Sequence, residues 1–272
     1  MTVIWVVTLG MAASSTMHPE ELVATLRAAG CVFAEDEARL LLEAAADDPD
    51  GTDLDRMVAD RVAGLPLEQI LGYAEFCGLR ITVAPGVFVP RRRTTALVHR
   101  AAPGLRAGDV VVDLCCGAGA IGAALLARTP GLEVYAADID PAAVAVARRN
   151  LPPERVFEGD LYAALPDALR GRVTAVVANA PYVPTHAVAT MPPEARDHEH
   201  RVALDGGADG LDVHRGVAAG APAWLAPGGR LLVETSRGQA LGTDTLMREA
   251  GLATEVWTDD EVDGTVVTGT LV

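Results

Sequence analysis

The 272-residue sequence predicts an α/β fold, in which a mostly parallel sheet carries helices on both faces and a small helical domain precedes it. Three observations predict it. Beyond Asp109, apolar runs of strand length alternate with stretches of helical period; VVVDLCCGAGAIG sets a glycine-rich turn between the first such strand and its helix; and the chain from His18 to Gly64 is helical in pattern. Half the residues are hydrophobic, enough to bury a full core and to hold one large domain beside a smaller one.

Residues 1–17 begin with TVIWVVTLGMAA, which has the look of a short signal core. No Lys or Arg precedes it, and it falls well below the roughly 20 apolar residues that a membrane span needs. With Met11 and Met17 just downstream, it reads as an extension, disordered or locally packed. Residues 18–70 read as a helical domain. Pro19-Glu20-Glu21 opens one helix and Gly30 closes it, with Leu22, Leu26 and Ala29 on one face. Ala38, Leu41, Leu42 and Ala45 mark a second helix over 35–46, and 54–63 form a weaker third after the turn-rich DDPDGTD.

Residues 71–92 alternate apolar and polar side chains with Gly78 and Pro85-Gly86 as punctuation, the pattern of a hairpin linking two domains. Residues 93–272 then supply DVVVDLCC and AIGAALLAR, LEVYAADI and PAAVAVARRN, RVFEGD, VTAVVANA, a helix over 212–224, and GRLLVETS. Stretches 252–257 and 265–271, parted by DDEVDG, read as an antiparallel pair closing the sheet.

All 22 basic residues are arginine against 37 acidic ones, a net charge of −15, which argues against a broad hold on nucleic-acid backbones. Cys31, Cys77, Cys115 and Cys116 lack paired metal-ligand spacing, and two adjacent cysteines neither bond readily to each other nor chelate one ion. A reducing cytoplasm is expected, with no membrane span. His198 and His200 in DHEH read as surface residues and no metal is expected. Arg91-Arg92-Arg93 reads either as a solvated helix start or as a contact for an anionic group, and Asp209 or Asp212 as a helix cap.

The chemistry-bearing residues lie at strand ends. Asp113 ends the first strand of the sheet, and Gly117, Gly119 and Gly122 follow, where a ligand can approach the backbone and a helix start exposes N–H groups. Alone, the turn suits a dinucleotide, a nucleoside or nothing at all. Asp138 ends the next strand about 20 residues on, where a carboxylate accepts both hydroxyls of a ribose, and Asp160 ends the one after. The fourth strand ends in Asn179-Ala180-Pro181-Tyr182. The Asn179 side-chain oxygen and the Ala180 carbonyl can accept both N–H groups of an amide or amine, Pro181 holds Ala180 extended, and Tyr182 offers a flat face. Positioning of this kind supplies roughly 7–11 kcal/mol without a strong base.

Three acids on successive strand ends resemble the S-adenosylmethionine-dependent methyltransferases, and the tetrad resembles the (N/D)PP(Y/F) signature of amino-methyltransferases. With PLEQILGYAEF, VFVPRRRT and DLCCGAG in order, the chain resembles the release-factor glutamine methyltransferase family over most of residues 18–271. That resemblance implies a Rossmann-like class I methyltransferase fold, with a seven-stranded, mostly parallel sheet and an antiparallel C-terminal strand over residues 93–272, and a substrate-recognition role for residues 18–70. It implies that Asp113, Cys115, Gly117, Gly119, Asp138, Ile139, Asp160, Leu161 and Asn179 lie at S-adenosylmethionine, and that Asn179, Ala180, Pro181 and Tyr182 carry catalysis. The substrate it implies is a glutamine amide of a protein such as a peptide-chain release factor.

Two departures stand out. Ala180 occupies a position where the family usually has proline, and VPRRRTT stands where it tends to read I-P-R-P-D-T-E, so an Asp and a Glu are missing. The same pocket would also suit a small-molecule methyltransferase, or a donor-binding protein without catalysis.

Overall fold

The computed structural model describes residues 17–46 and 52–272; the extension before Met17 and most of the DDPDGTD turn lie outside the described residues. The chain divides between Leu71 and Gly72 into two compact units.

The first unit holds α1 (Pro19–Ala28), α2 (Ala34–Ala45), α3 (Thr52–Val62) and the short α4 (Leu67–Leu71). Leu22 and Leu26 of α1, Ala38 and Leu41 of α2, and Leu54 and Val58 of α3 recur at helical spacing and bury together. Ala29, expected on this face, caps α1 at its C-terminus and is exposed, because the helix stops one residue before it. Beside this core the Arg61 guanidinium grips Glu37 through two bonds, Nε to Oε2 at 2.5 Å and Nη2 to Oε1 at 3.2 Å, and donates to the Leu65 carbonyl at 3.0 Å.

The second unit opens with a hairpin, β1 (Tyr73–Phe76) and β2 (Leu79–Thr82), turned by Cys77 and Gly78 at φ 50° and 79°. Ala74, Phe76 and Ile81 pack into the same core as Leu97, Ile121 and Val144, so the hairpin is built into this unit. Then come α5 (Thr95–Ala101), β3 (Val110–Leu114), α6 (Ala120–Arg128), β4 (Glu133–Asp138), α7 (Pro141–Asn150), β5 (Val156–Glu158), β6 (Val173–Ala178), α8 (Pro193–His198), α9 (Asp212–Gly220), β7 (Leu225–Thr235), α10 (Ala240–Glu249), β8 (Leu252–Asp259) and β9 (Gly264–Leu271).

The sheet order is β5-β4-β3-β6-β7-β9-β8, parallel except for β9, which is antiparallel to both neighbours. This is the seven-stranded Rossmann-like sheet anticipated from the motifs. Alternate residues feed opposite layers: Val111, Val134 and Val177 one, Val112, Leu114 and Val176 the other. The chain leaves β3 toward β4 and β5, then returns to β6 on the other side, so the crevice for a ligand opens at the carboxyl ends of β3, β4 and β6.

α9 is capped otherwise than expected. Leu211 holds the N-cap position; Asp209 accepts the Leu211 N–H at 3.0 Å, and both Asp209 and Asp212 pair with Arg215. A helical turn at Arg92–Thr94 leads into α5, in line with the helix start read at Arg91–Arg93, whereas α4, α8 and α10 were not foreseen.

Arg61→Ala is expected to leave Glu37 buried and unpaired and to destabilise the first unit by about 3–5 kcal/mol. Amide hydrogen exchange checks this: protection should fall in α1, α2 and α3 while the sheet keeps its own.

Candidate active site

At the switch point lies a cavity of about 240 Å³ whose walls include Cys115 and Gly117, Asp138 and Ile139, Asp160 and Leu161, and the whole run Asn179, Ala180, Pro181 and Tyr182. Asp113 and Gly119 do not line it. Asp113 is fully buried behind the turn, where its Oδ2 accepts the Gly122 N–H at 2.8 Å and braces the first turn of α6. Gly119 is required for shape: φ is 77°, and a Cβ there would meet Leu151 Cδ1 at 2.9 Å.

The glycine turn is tied to the neighbouring strand end. Gly117, at φ 54°, donates its N–H to Asp138 Oδ2 at 2.8 Å, and the Asp140 N–H reaches Oδ1 at 2.9 Å. Each oxygen keeps a lone pair for a hydroxyl group. Burial raises the Asp138 pKa and the two backbone N–H bonds pull it back. Cys115, at φ 52°, turns its thiol into a field of carboxylates; burial and then the charges of Asp138, Asp113 and Asp160 push its pKa well up, which keeps it a neutral thiol. Ile139 is 54% exposed at the rim, an apolar face held out by the backbone.

This half of the cavity has a definite sign. Asp138, Asp140 and Asp160 line it, and the arginine on the cavity wall, Arg93, stands at the other end beside Tyr182. Carboxylates repel a pyrophosphate and welcome a cation, so a nucleoside carrying a sulfonium fits and a dinucleotide does not. The residues present therefore suit S-adenosylmethionine.

The other half of the cavity is built on the end of β6. Asn179 donates through Nδ2 to Thr94 Oγ1 at 3.2 Å, which leaves Oδ1 as its remaining acceptor. Ala180 is buried just past the end of the strand. Burial drops the His214 pKa to about 4, so the ring is neutral at pH 7; its Nδ1 lies 2.9 Å from Thr243 Oγ1. The Tyr182 ring meets His214 edge to face, centroids 6.3 Å apart. The phenol lies 3.4 Å from Glu234 Oε1, and burial and then the Glu234 charge push its pKa up to about 12.

Of the three arginines in sequence, Arg91 pairs with Glu199 at 2.6 Å and Arg93 lies 3.4 Å from Glu234. Glu199 also accepts the Val89 N–H at 3.0 Å, and His200 donates its backbone N–H to Gly86 and sets its ring against Asp140 at 2.6 Å. The two anchors hold the segment carrying Met191, Val202 and Leu204 across the cavity. Sequence reasoning missed Thr94 and His214 as parts of this end, and Glu234 altogether; a buried acid in the apolar run LLVET was the one local signal for the last.

Residues 78–194 match the family described as Methyltransferase small domain. Over 263 residues the chain is 35% identical to the release factor glutamine methyltransferase of Bradyrhizobium diazoefficiens, a match covering 86% of each. It is 40% identical over 188 residues to the release factor glutamine methyltransferase of Geobacter sulfurreducens, where the match takes in 68% of this chain and spans 65% of that relative's length. The 4-amino-L-phenylalanine/4-methylamino-L-phenylalanine methyltransferase of Streptomyces pristinaespiralis is 36% identical over 203 residues, 71% of this chain and 69% of that one.

Burial pushes the Asp113 carboxyl up to about 8, against the pull of the Gly122 N–H. Between the ordinary value, about 4, and that raised one, the folded state holds a proton that the unfolded chain has lost, so this contribution is complete at acid pH and lost as pH rises. Tm should therefore fall from about pH 4 to about pH 8. Asp113→Asn, which keeps an acceptor for Gly122, should flatten that fall by a few degrees in calorimetry.

Proposed function

The chain belongs to the release factor glutamine methyltransferase family, and from that premise we propose that it transfers the methyl group of S-adenosylmethionine to the side-chain amide nitrogen of a glutamine in a protein, a peptide-chain release factor in the cytoplasm. One observation carries the reading: Asp138, Asp160, Asn179 and Tyr182, far apart in sequence, line a single cavity at the switch point of the sheet. Among the described residues no helix is long and apolar enough to cross a membrane.

S-adenosylmethionine, when bound, supplies a methyl carbon made electrophilic by its sulfonium. Everything else falls to the chain. Asp138 accepts the ribose hydroxyls, Ile139 and Leu161 offer apolar faces to the base, and Asp160 accepts from its amino edge. Gly117 and Cys115 bring backbone close to the donor, with Asp113 and Gly119 acting behind the turn. At the other end, Asn179 Oδ1 and the Ala180 carbonyl each take one N–H of the glutamine amide, which draws the nitrogen out of conjugation and aims its lone pair. Pro181 keeps Ala180 extended, and Tyr182 packs on the flat amide. The segment anchored by Glu199 and His200 keeps water from the reacting nitrogen. The first unit, residues 18–71, recognises the rest of the protein substrate.

A second reading is favoured by the Streptomyces pristinaespiralis relative, which is named for an aromatic amine, and by Arg93, a half-exposed cation on the cavity wall where an acidic small molecule would meet it. Here the same two acceptors hold an arylamine.

Mass spectrometry of release factors from cells lacking the gene is expected to show loss of the glutamine methyl mark; an unchanged mark removes that substrate. With purified protein, transfer to a release factor and none to 4-amino-phenylalanine separates the two readings, and donor binding without transfer to either points to a protein that has kept only the donor site. Asn179→Ala should lower kcat roughly 10-fold to 100-fold, with S-adenosylmethionine affinity by calorimetry nearly kept. A collapse of donor affinity would show that Asn179 belongs to the donor half.

A further inference from the structure

Arg91, Arg92 and Arg93 follow one another, yet each has a different surrounding. Arg91 pairs with Glu199 at 2.6 Å, Arg92 is exposed, and Arg93 lines the cavity. The backbone of this turn is fixed. The Thr94 N–H donates to the Arg91 carbonyl at 3.0 Å and the Thr95 hydroxyl to that of Arg92 at 2.8 Å. At the start of β9, Gly264 comes so close that a Cβ there would meet the Arg93 carbonyl oxygen at 2.7 Å. The side chain is held as well: its Nε lies 3.4 Å from Oε1 of Glu234, an acid of β7 that is 1% exposed, and its guanidinium carbon stands 5.9 Å from the centre of the Tyr182 ring.

A carboxylate buried without a cation is costly, so Arg93 neutralises Glu234. That accounts for one edge of the guanidinium. The planar fork has five N–H donors, and the edge formed by its two NH2 groups is the one that grips a carboxylate through two parallel bonds. Half of the side chain remains exposed, on the wall of the cavity.

The sheet order says which molecule would meet it. Asp160 follows β5, Asp138 ends β4, Asn179 follows β6, and Glu234 lies near the end of β7. Arg93 is therefore held one strand beyond Asn179, on the side away from the acids that suit the donor. Those acids and Asp140 stand at one end of the cavity and the guanidinium at the other. An entering anion is repelled from the first end and drawn to the second. We propose that Arg93 is a specificity-determining residue: it receives a carboxylate of the methyl acceptor, so that the site selects amines or amides that carry one. This rests on the functional reading above, which puts the acceptor at Asn179. The carboxylate belongs to a free amino acid or to an acidic side chain beside the methylated glutamine of a protein, and the experiment separates the two.

Arg93→Gln removes the charge, and Arg93→Lys keeps it without the fork. The acceptors to compare are a release factor, 4-amino-phenylalanine, and the primary amide of that amino acid, which has lost the negative charge. With a free amino acid as the source, KM for the acid is expected to lie about 10-fold to 100-fold below that for its amide, and Arg93→Gln to abolish the difference, with Arg93→Lys between. The S-adenosylmethionine Kd should stay within about twofold, a change too small for a lost ion pair. Arg92→Gln, outside the cavity, should keep the preference. With a protein as the source, it is KM for the release factor that rises in Arg93→Gln. If Arg93 only neutralises Glu234, Arg93→Gln lowers Tm and leaves every KM in place, which overturns the proposal. A collapse of S-adenosylmethionine affinity also overturns it, since Arg93 would then hold the donor. Calorimetry of the same acceptors on the protein loaded with S-adenosylhomocysteine needs no turnover. Absence of transfer by the unaltered protein would remove the functional reading, while an acceptor Kd that rises in Arg93→Gln would still uphold the role of Arg93, and a Kd that does not would overturn it.

Discussion

The hydrogen bond from the Gly117 N–H to the Asp138 carboxylate joins the ends of two adjacent parallel strands at 2.8 Å, and the cavity depends on it. Parallel strands end in separate loops that have no reason to stay together. Here the loop after β3 is fastened to the loop after β4, while Asp113 fastens the start of α6 to β3 from behind. With both ties made, backbone and carboxylates share one wall, and the half of the cavity they form carries its negative charge before any ligand enters. The cost is visible in the raised pKa values of Asp113, Asp138 and Cys115. Strong perturbation of this kind, concentrated in one crevice, is what a binding site requires of its groups.

How far the sequence carries a reader depends on the range of the forces involved. β3, β4 and β6 were legible because buried parallel strands are written as unbroken apolar runs, and the first three helices because their apolar spacing is regular. α8 and α10 were not. α8 is six residues long, and α10 carries Gly242, Thr243 and Thr245, poor helix formers that tertiary packing overrides. The strand expected from Gly229 begins at Leu225, because the Pro227-Gly228-Gly229 turn is absorbed as an irregularity in the pairing with β6.

The candidate site divides in the same way. The motif residues Asp138, Asp160, Asn179 and Tyr182 announce themselves by standing at strand ends, and all four line the cavity. Asp113 and Gly119 stand in the same motif yet face away from it, since a strand end has two sides and spacing does not say which one a side chain takes. Thr94, His214 and Glu234 come from other segments, and only the folded chain brings them beside Asn179 and Tyr182. Ala180, which looked like a weakened proline, is held by burial.

Asn150, the last residue of α7, accepts the Thr82 N–H at 2.9 Å and donates to the carbonyls of Thr82, at 2.9 Å, and Ala118, at 2.8 Å. One side chain thereby clamps the hairpin strand β2 and the glycine turn to the same helix end. In mechanical terms the turn is not a free loop but a beam supported at two points, Asp138 in front and Asn150 behind. Strain applied to the hairpin is transmitted to the backbone that faces the cavity, and the stiffness of that small outlying hairpin becomes part of the stiffness of the cavity floor.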